Sequence, residues 1–159
     1  LKQNVHGQVN ETLSEINRVL TTFIKGALVD SLIVALLSSI ALSALGVRFA
    51  VVIGLIGGLL NIIPYFGPFF SMVPAFLVAF FSRGLLSALT AVLALFLIQQ
   101  LDSNLIYPRI VGQSVGLHPL FVLLSLAVLG HFGGIVGMLL AVPAAGIVQI
   151  LIKKWAYRY

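Results

Sequence analysis

Cysteine is absent from the 159 residues, which excludes disulfides, thiol nucleophiles and cysteine-rich metal sites. Charge is nearly absent too: Asp, Glu, Lys and Arg together make up 8% of the chain, where a soluble domain carries about a quarter. Only four residues are acidic, Glu11, Glu15, Asp30 and Asp102. What fills the space is apolar, at 60% hydrophobic residues and a mean hydropathy of +1.16. That composition excludes the water-soluble globular class and reads as an integral membrane protein built from helices. The net charge of +5 is no nucleic-acid footprint, because the basic residues sit at segment ends, as membrane-surface anchors do, and not along one face. The chain starts at Leu1, inside an amphipathic pattern, which predicts a piece of a longer protein and leaves no signal peptide to read.

The apolar runs are interrupted most sharply at Gly57-Gly58-Leu59-Leu60-Asn61-Ile62-Ile63-Pro64-Tyr65-Phe66-Gly67-Pro68. Pro64, Gly67 and Pro68 fall within five residues, and proline both lacks a backbone donor and disfavours helix in the residue before it. Broken backbone at membrane depth is tolerated only where protein or a wet cavity covers it. The island therefore reads as the tip of a re-entrant hairpin on a path for a small polar solute or ion.

In chain order, residues 1–23 form an amphipathic interfacial or linker helix, with Val5, Val9, Leu13, Ile16, Leu20 and Phe23 on one stripe. Residues 24–152 form the membrane domain. Its first half, 24–84, holds a span from Thr22 to Leu45 and a hairpin with arms Phe49–Ile63 and Phe69–Phe81, about 22 and 20 Å as helix against a core of about 30 Å. Its second half, 85–152, holds a span from Leu85 to Tyr107, stopped by Pro108. A second hairpin follows, with arms Pro119–Gly130 and Ile135–Ile152, broken at His131-Phe132-Gly133-Gly134, with Pro143 interrupting its last arm. Residues 153–159 form a basic, aromatic tail. A hairpin returns to its own side and a span does not, so the second unit runs inverted to the first, as in many secondary transporters. Lys2, Arg18, Lys25, Arg109, Lys153, Lys154 and Arg158 fall on one side and Arg48 and Arg83 on the other, which predicts a cytoplasmic C-terminus.

Several of these motifs together resemble one family. They are Asn61-Ile-Ile-Pro-Tyr-Phe-Gly-Pro; Gln100-x-Asp102-x-Asn104-x-x-x-Pro108-Arg109-x-x-Gly112; Leu117-His118-Pro119; Gly130-x-Phe132-Gly133-x-x-x-Gly137; and Ala141-Val142-Pro143. The chain resembles the C-terminal half of the AI-2E, or autoinducer-2 exporter, family of bacterial membrane proteins. The resemblance implies the bacterial inner membrane, export of a small polar molecule or sodium/proton antiport, and homo-oligomeric assembly. It implies no enzyme activity and no cofactor beyond Na+ or H+ as a coupling ion.

Asp102 is the first candidate for transport or coupling, because an ionisable group inside a span is costly and usually faces a cavity or a partner. The bland alternative is an ion pair with Arg109 on the same helical face. Asp30 lies at similar depth from the same side, with Lys25 as its structural alternative. Asn61 and Tyr65 flank the break and can offer an amide and a hydroxyl, or simply cap a helix end and seek interface water. Gln99, Gln100 and Asn104 share the polar end around Asp102, as solute ligands or as interhelical hydrogen bonds. His118 can titrate near neutral pH and gate the second hairpin, or hydrogen-bond a loop.

Two other classes compete with transport. Asp30 and Asp102 are a pair of membrane aspartates, as an intramembrane aspartyl protease needs, though without the glycine-flanked motif of those enzymes. An oligomeric scaffold would use the amphipathic lead and the glycine faces, but has no need of broken helices at depth.

Overall fold

The structure is a computed structural model that describes residues 2–63, 66–110 and 119–156, with side chains over 11–63, 66–110 and 120–152. Among the described residues it is all helix and turn: α1 (Lys2–Ala44), α2 (Ala50–Leu60), α3 (Phe66–Arg83), α4 (Leu85–Leu101), a π-helical turn (Asp102–Ile106), α5 (Tyr107–Ile110) and α6 (Pro119–Ala156). Four stretches, 11–44, 66–83, 85–110 and 120–152, are long and apolar enough to cross a membrane. α2 has 11 residues, about 16 Å, and is too short to do so.

The chain divides into two units, one of residues 26–112 and one of 1–25 with 113–159. In the first, small and polar residues are inside and large apolar ones outside. The buried face of α1 carries Ala27, Asp30, Ser31, Val34, Ala35, Ser38, Ser39 and Leu42, while Leu28, Leu32, Leu36 and Ile40 are exposed. That is the reverse of a water-soluble helix. Where lipid tails surround the protein, close backbone packing between small residues holds helices together.

Glycines set the approach of α2. A Cβ on Gly58 would sit 2.5 Å from Ala35 Cα, one on Gly54 would sit 2.6 Å from Ser39 N, and one on Gly57 would meet Ser71 of α3. Only hydrogen fits at these crossings. α1 ends in a Schellman motif: Gly46, at φ 67°, donates to Ser43 O at 2.9 Å, and Val47 donates to Leu42 O at 3.0 Å. Arg83 Nη1 donates to Leu45 O at 2.9 Å and so closes the same helix end from α3. Gly84, at φ 88° and ψ −177°, turns the chain from α3 into α4, and α3 packs along α4 through Ala75, Ala79, Ala88 and Ala91, all at most 1% exposed.

Three expectations need adjustment here. Gly67 and Pro68 lie in the first turn of α3 and not in the hairpin tip, because a proline there gives up an N–H that had no helical partner anyway. α3 consequently reaches 18 residues, longer than the predicted arm 69–81. Pro108 does not stop its helix, which continues to Ile110. The turn just before it widens to π, with Tyr107 N donating to Asp102 O, which removes the clash a proline ring makes with an α-helical carbonyl four residues back. Pro64, Tyr65, Gly112, Leu117, His118 and the tail from Tyr157 to Tyr159 lie outside the described residues, as do the side chains of Lys153, Lys154 and Trp155.

In the other unit, α1 carries Ile16, Leu20 and buried Phe23 on one face, and α6 folds back on itself. Gly134, at φ 56° and ψ −137°, is the one non-helical residue inside α6. A Cβ on Gly137 would run into Leu129 O, and one on Gly130 would sit 2.9 Å from Met138 Cε. Residues eight apart cannot meet along a straight helix, so the two arms lie against each other, with the bend at the predicted Gly133-Gly134. Pro143 does not break the second arm; it is fully buried within the helix.

Candidate functional site

Three helices bring one residue each to a single point. Asp30 sits midway along α1, on the small-residue face that α2 packs against, and is 1% exposed. Asn61 is the residue after α2, still in helical conformation, with its N–H on Gly58 O. Asp102 opens the π turn and is 3% exposed. Asn61 Nδ2 donates to Asp30 Oδ2 at 3.0 Å and to Asp102 Oδ2 at 3.2 Å, so one amide holds both carboxylates. Gln99 Nε2 adds a longer bond to Asp102 Oδ2 at 3.4 Å.

The remaining carboxylate oxygens, Asp30 Oδ1 and Asp102 Oδ1, are buried and have no hydrogen-bond partner. A buried carboxylate costs several kcal/mol unless something positive meets it. Neither structural alternative supplies that charge: Arg109 and Lys25 are exposed, and among the described residues no ion pair joins either to an aspartate. Chemically, the arrangement can accept a cation and can hold a helix end by its charge.

Gly67 backs the site from α3. A Cβ there would sit 2.6 Å from Asn61 Cα and 2.7 Å from its Oδ1. Ser71, one turn on, donates to Gly67 O or Pro68 O, each at 3.1 Å, and fixes that first turn.

Of the candidates from sequence, Asp30, Asn61 and Asp102 come together, with Gly67 against them. Gln100 and Asn104 do not join them; they bond to each other on the exposed face, Asn104 Nδ2 to Gln100 O at 2.7 Å. Gln99, expected only as part of a shared polar end, is the amide of that trio that reaches Asp102. Tyr107 was missed as a site residue: it is half-buried and within electrostatic reach of both carboxylates. The signal for it was its place five residues after Asp102, which only a π turn brings round to the same side.

The family model for AI-2E transporters matches residues 1–157. The chain belongs to the AI-2E transporter family. This AI-2E chain is 37% identical over 139 residues to YrrI of Bacillus subtilis, covering 87% of the chain and 39% of that protein. It is 39% identical over 126 residues to the AI-2 transport protein TqsA of Escherichia coli, covering 79% and 37%. To PerM of Escherichia coli it is 29% identical over 150 residues, covering 94% and 42%. The AI-2E chain thus spans about two fifths of the length of the curated relatives it matches.

Proposed function

We propose that this AI-2E chain is part of a bacterial inner-membrane transporter that exports a small polar solute of the autoinducer-2 type or exchanges Na+ and H+. The observation that carries the reading is the pair of buried aspartates sharing the Asn61 amide, each with one unpartnered oxygen. A polar cluster at the end of a helix too short to span is where secondary transporters bind ions and solutes. In this reading the two broken stretches, 50–83 and 119–152, enter the membrane as re-entrant hairpins, and Na+ or H+ at the aspartates drives the solute. The sharp bend at Gly134 and the 11 residues of α2 support it. We propose further a cytoplasmic C-terminus, from the seven-to-two bias of Lys and Arg, and assembly as a homo-oligomer, as the family resemblance implies. No organic cofactor and no nucleic acid enters this reading.

The meeting of Asp30 and Asp102 is also what an intramembrane aspartyl protease would require. Here one oxygen of each carboxylate is already engaged by the Asn61 amide, which favours a binding role over hydrolysis.

The test is Asp102→Asn in the full-length protein, reconstituted in vesicles under imposed Na+ and pH gradients. The amide keeps shape and loses charge, so flux of autoinducer-2, or of Na+, should fall about tenfold or more while insertion and yield are unchanged. Normal flux from Asp102→Asn under every gradient would remove Asp102 from the transport path.

A further inference from the structure

The proposed transport reading leaves open how an ion at the aspartates could act on a helix end, and the geometry around Asn61 supplies a way. Asn61 Nδ2 carries two hydrogens, and both are spent on carboxylates, at 3.0 and 3.2 Å. These carboxylates belong to α1 and to the π turn after α4, whereas Asn61 belongs to the end of α2. The side chain therefore ties the α2–α3 junction to the two long helices on either side of it.

Asn61 cannot move alone. Gly67 lies so close to Asn61 that a Cβ would come within 2.8 Å of its backbone N, and Ser71 stiffens the turn that holds Gly67. Gly57 in turn abuts Ser71. The end of α2 and the start of α3 thus form one block, which packs on α1 at Gly58 and Ala35 and has the Asn61 amide as its polar tie at the site.

The strength of that fastening depends on charge. A hydrogen bond to a charged carboxylate is roughly twice as strong as a neutral one. The two unpartnered oxygens, Asp30 Oδ1 and Asp102 Oδ1, are what an arriving cation would take, and they lie on the same carboxylates that grip Asn61. Among the described residues, the titratable groups facing the pair are Asp30 itself on α1, Asp102 in the π turn and Tyr107 at the start of α5; α2 and α3 bring Asn61, Gly67 and Ser71, which carry no charge.

We propose that Asn61 is a cation-sensitive latch: it holds the α2–α3 junction against α1 and α4 while both Asp30 and Asp102 are charged, and lets go when a monovalent cation, H+ or Na+, cancels the charge of one of the two carboxylates. Asn61 is then a positioning residue, acting on the path through the helix end it carries. The inference rests on the transport reading above and gives it a direction, because arrival of the ion loosens the junction.

The experiment places spin labels at Leu59→Cys on α2 and Leu97→Cys on α4, both exposed at 62% and 55%, in the full-length protein cleared of other cysteines and reconstituted in vesicles. Pulsed dipolar spectroscopy then reads the α2–α4 distance. One arm lowers pH in choline chloride and the other adds NaCl at fixed alkaline pH, so proton and sodium are told apart, with choline alone as the blank. The ratio of the longer to the shorter distance population should rise about tenfold in at least one arm, the effect of weakening a charge-assisted bond. Asp30→Asn with Asp102→Asn should show the longer distance without any cation. Asn61→Leu should abolish the response, and Asn61→Gln, which keeps the amide, should restore part of it. Should Asn61→Leu fail to fold, the double aspartate variant decides. A distance indifferent to both cations in the unsubstituted protein, or a response that survives in Asn61→Leu, overturns the latch. Flux measured in the same vesicles keeps the two ideas separate: transport with a motionless junction refutes the latch alone, and no transport of any tested solute or ion refutes the reading beneath it.

Discussion

Gly58→Ala adds a single methyl group at the tightest crossing near the site, and its effect can be worked from distances. The new Cβ would stand 2.5 Å from Ala35 Cα and 2.6 Å from Ala35 N, where ordinary contact begins near 3.4 Å. The clash is with backbone, so no side chain can rotate away, and α2 must retreat from α1 by about 1 Å. Asn61 follows α2 by three residues, and its 3.0 Å bond to Asp30 stretches to about 4 Å, outside hydrogen-bond range. Overpacking costs about 1–3 kcal/mol and stranding one buried carboxylate about 1.5–3 kcal/mol. Alanine returns about 1 kcal/mol through helix propensity. The net loss is about 3 kcal/mol, to be read as a lowered melting temperature of the full-length protein in detergent, with transport lost at temperatures where the variant is still folded. Gly133→Ala is the control, since nothing lies within 4 Å of its Cβ and its change should stay within about 0.5 kcal/mol. If the two variants melt together and Gly58→Ala still transports, the approach of α2 to α1 does not position Asn61.

Pro108→Ala removes the reason for the π turn, so the helix should rewind to α, turn Asp102 away from Asn61, and abolish flux with little change in melting temperature; an unchanged flux would refute the link between Pro108 and the site. Gly84→Ala meets no atom within 4 Å yet sits at φ 88° and ψ −177°, a region only glycine adopts freely. It should lower stability by about 1–3 kcal/mol through backbone strain alone, and a neutral outcome in thermal melting would contradict that. A reporter fused after Tyr159 should be active only in the cytoplasm, given the distribution of Lys and Arg, and periplasmic activity would invert the proposed topology.

Each member of the Asp30, Asn61 and Asp102 group was legible in the sequence because each is polar inside an apolar run, which membrane energetics makes conspicuous. Their meeting was not, since Asn61 lies 31 residues from one partner and 41 from the other and no local pattern records such a pairing. The sequence also grouped Gln99, Gln100 and Asn104 by proximity. Helical geometry separates them, since Gln100 and Asn104 are four apart and share an outer face, while Gln99 is three before Asp102 and shares the inner one. Pro108 was read by its usual effect at a helix interior, and a π turn, which has no sequence signature of its own, absorbed it. Gly133-Gly134 was read correctly as a break, because two consecutive glycines among apolar residues are the least helical point of that run.

The π turn at Asp102–Ile106 amounts to one surplus residue in an otherwise regular rod. A chain shortened by one residue between 102 and 106, and carrying a residue other than proline at the place of Pro108, could close the bulge into a plain α-helix and keep the faces before and after it where they are. The same deletion anywhere in Leu85–Leu101 would rotate everything downstream by about 100° and carry Asp102 off its partners. Length variation in this helix is therefore affordable at one place, and that place is beside the carboxylate, where gaining or losing the bulge would switch the geometry of the site without unravelling the helix that bears it.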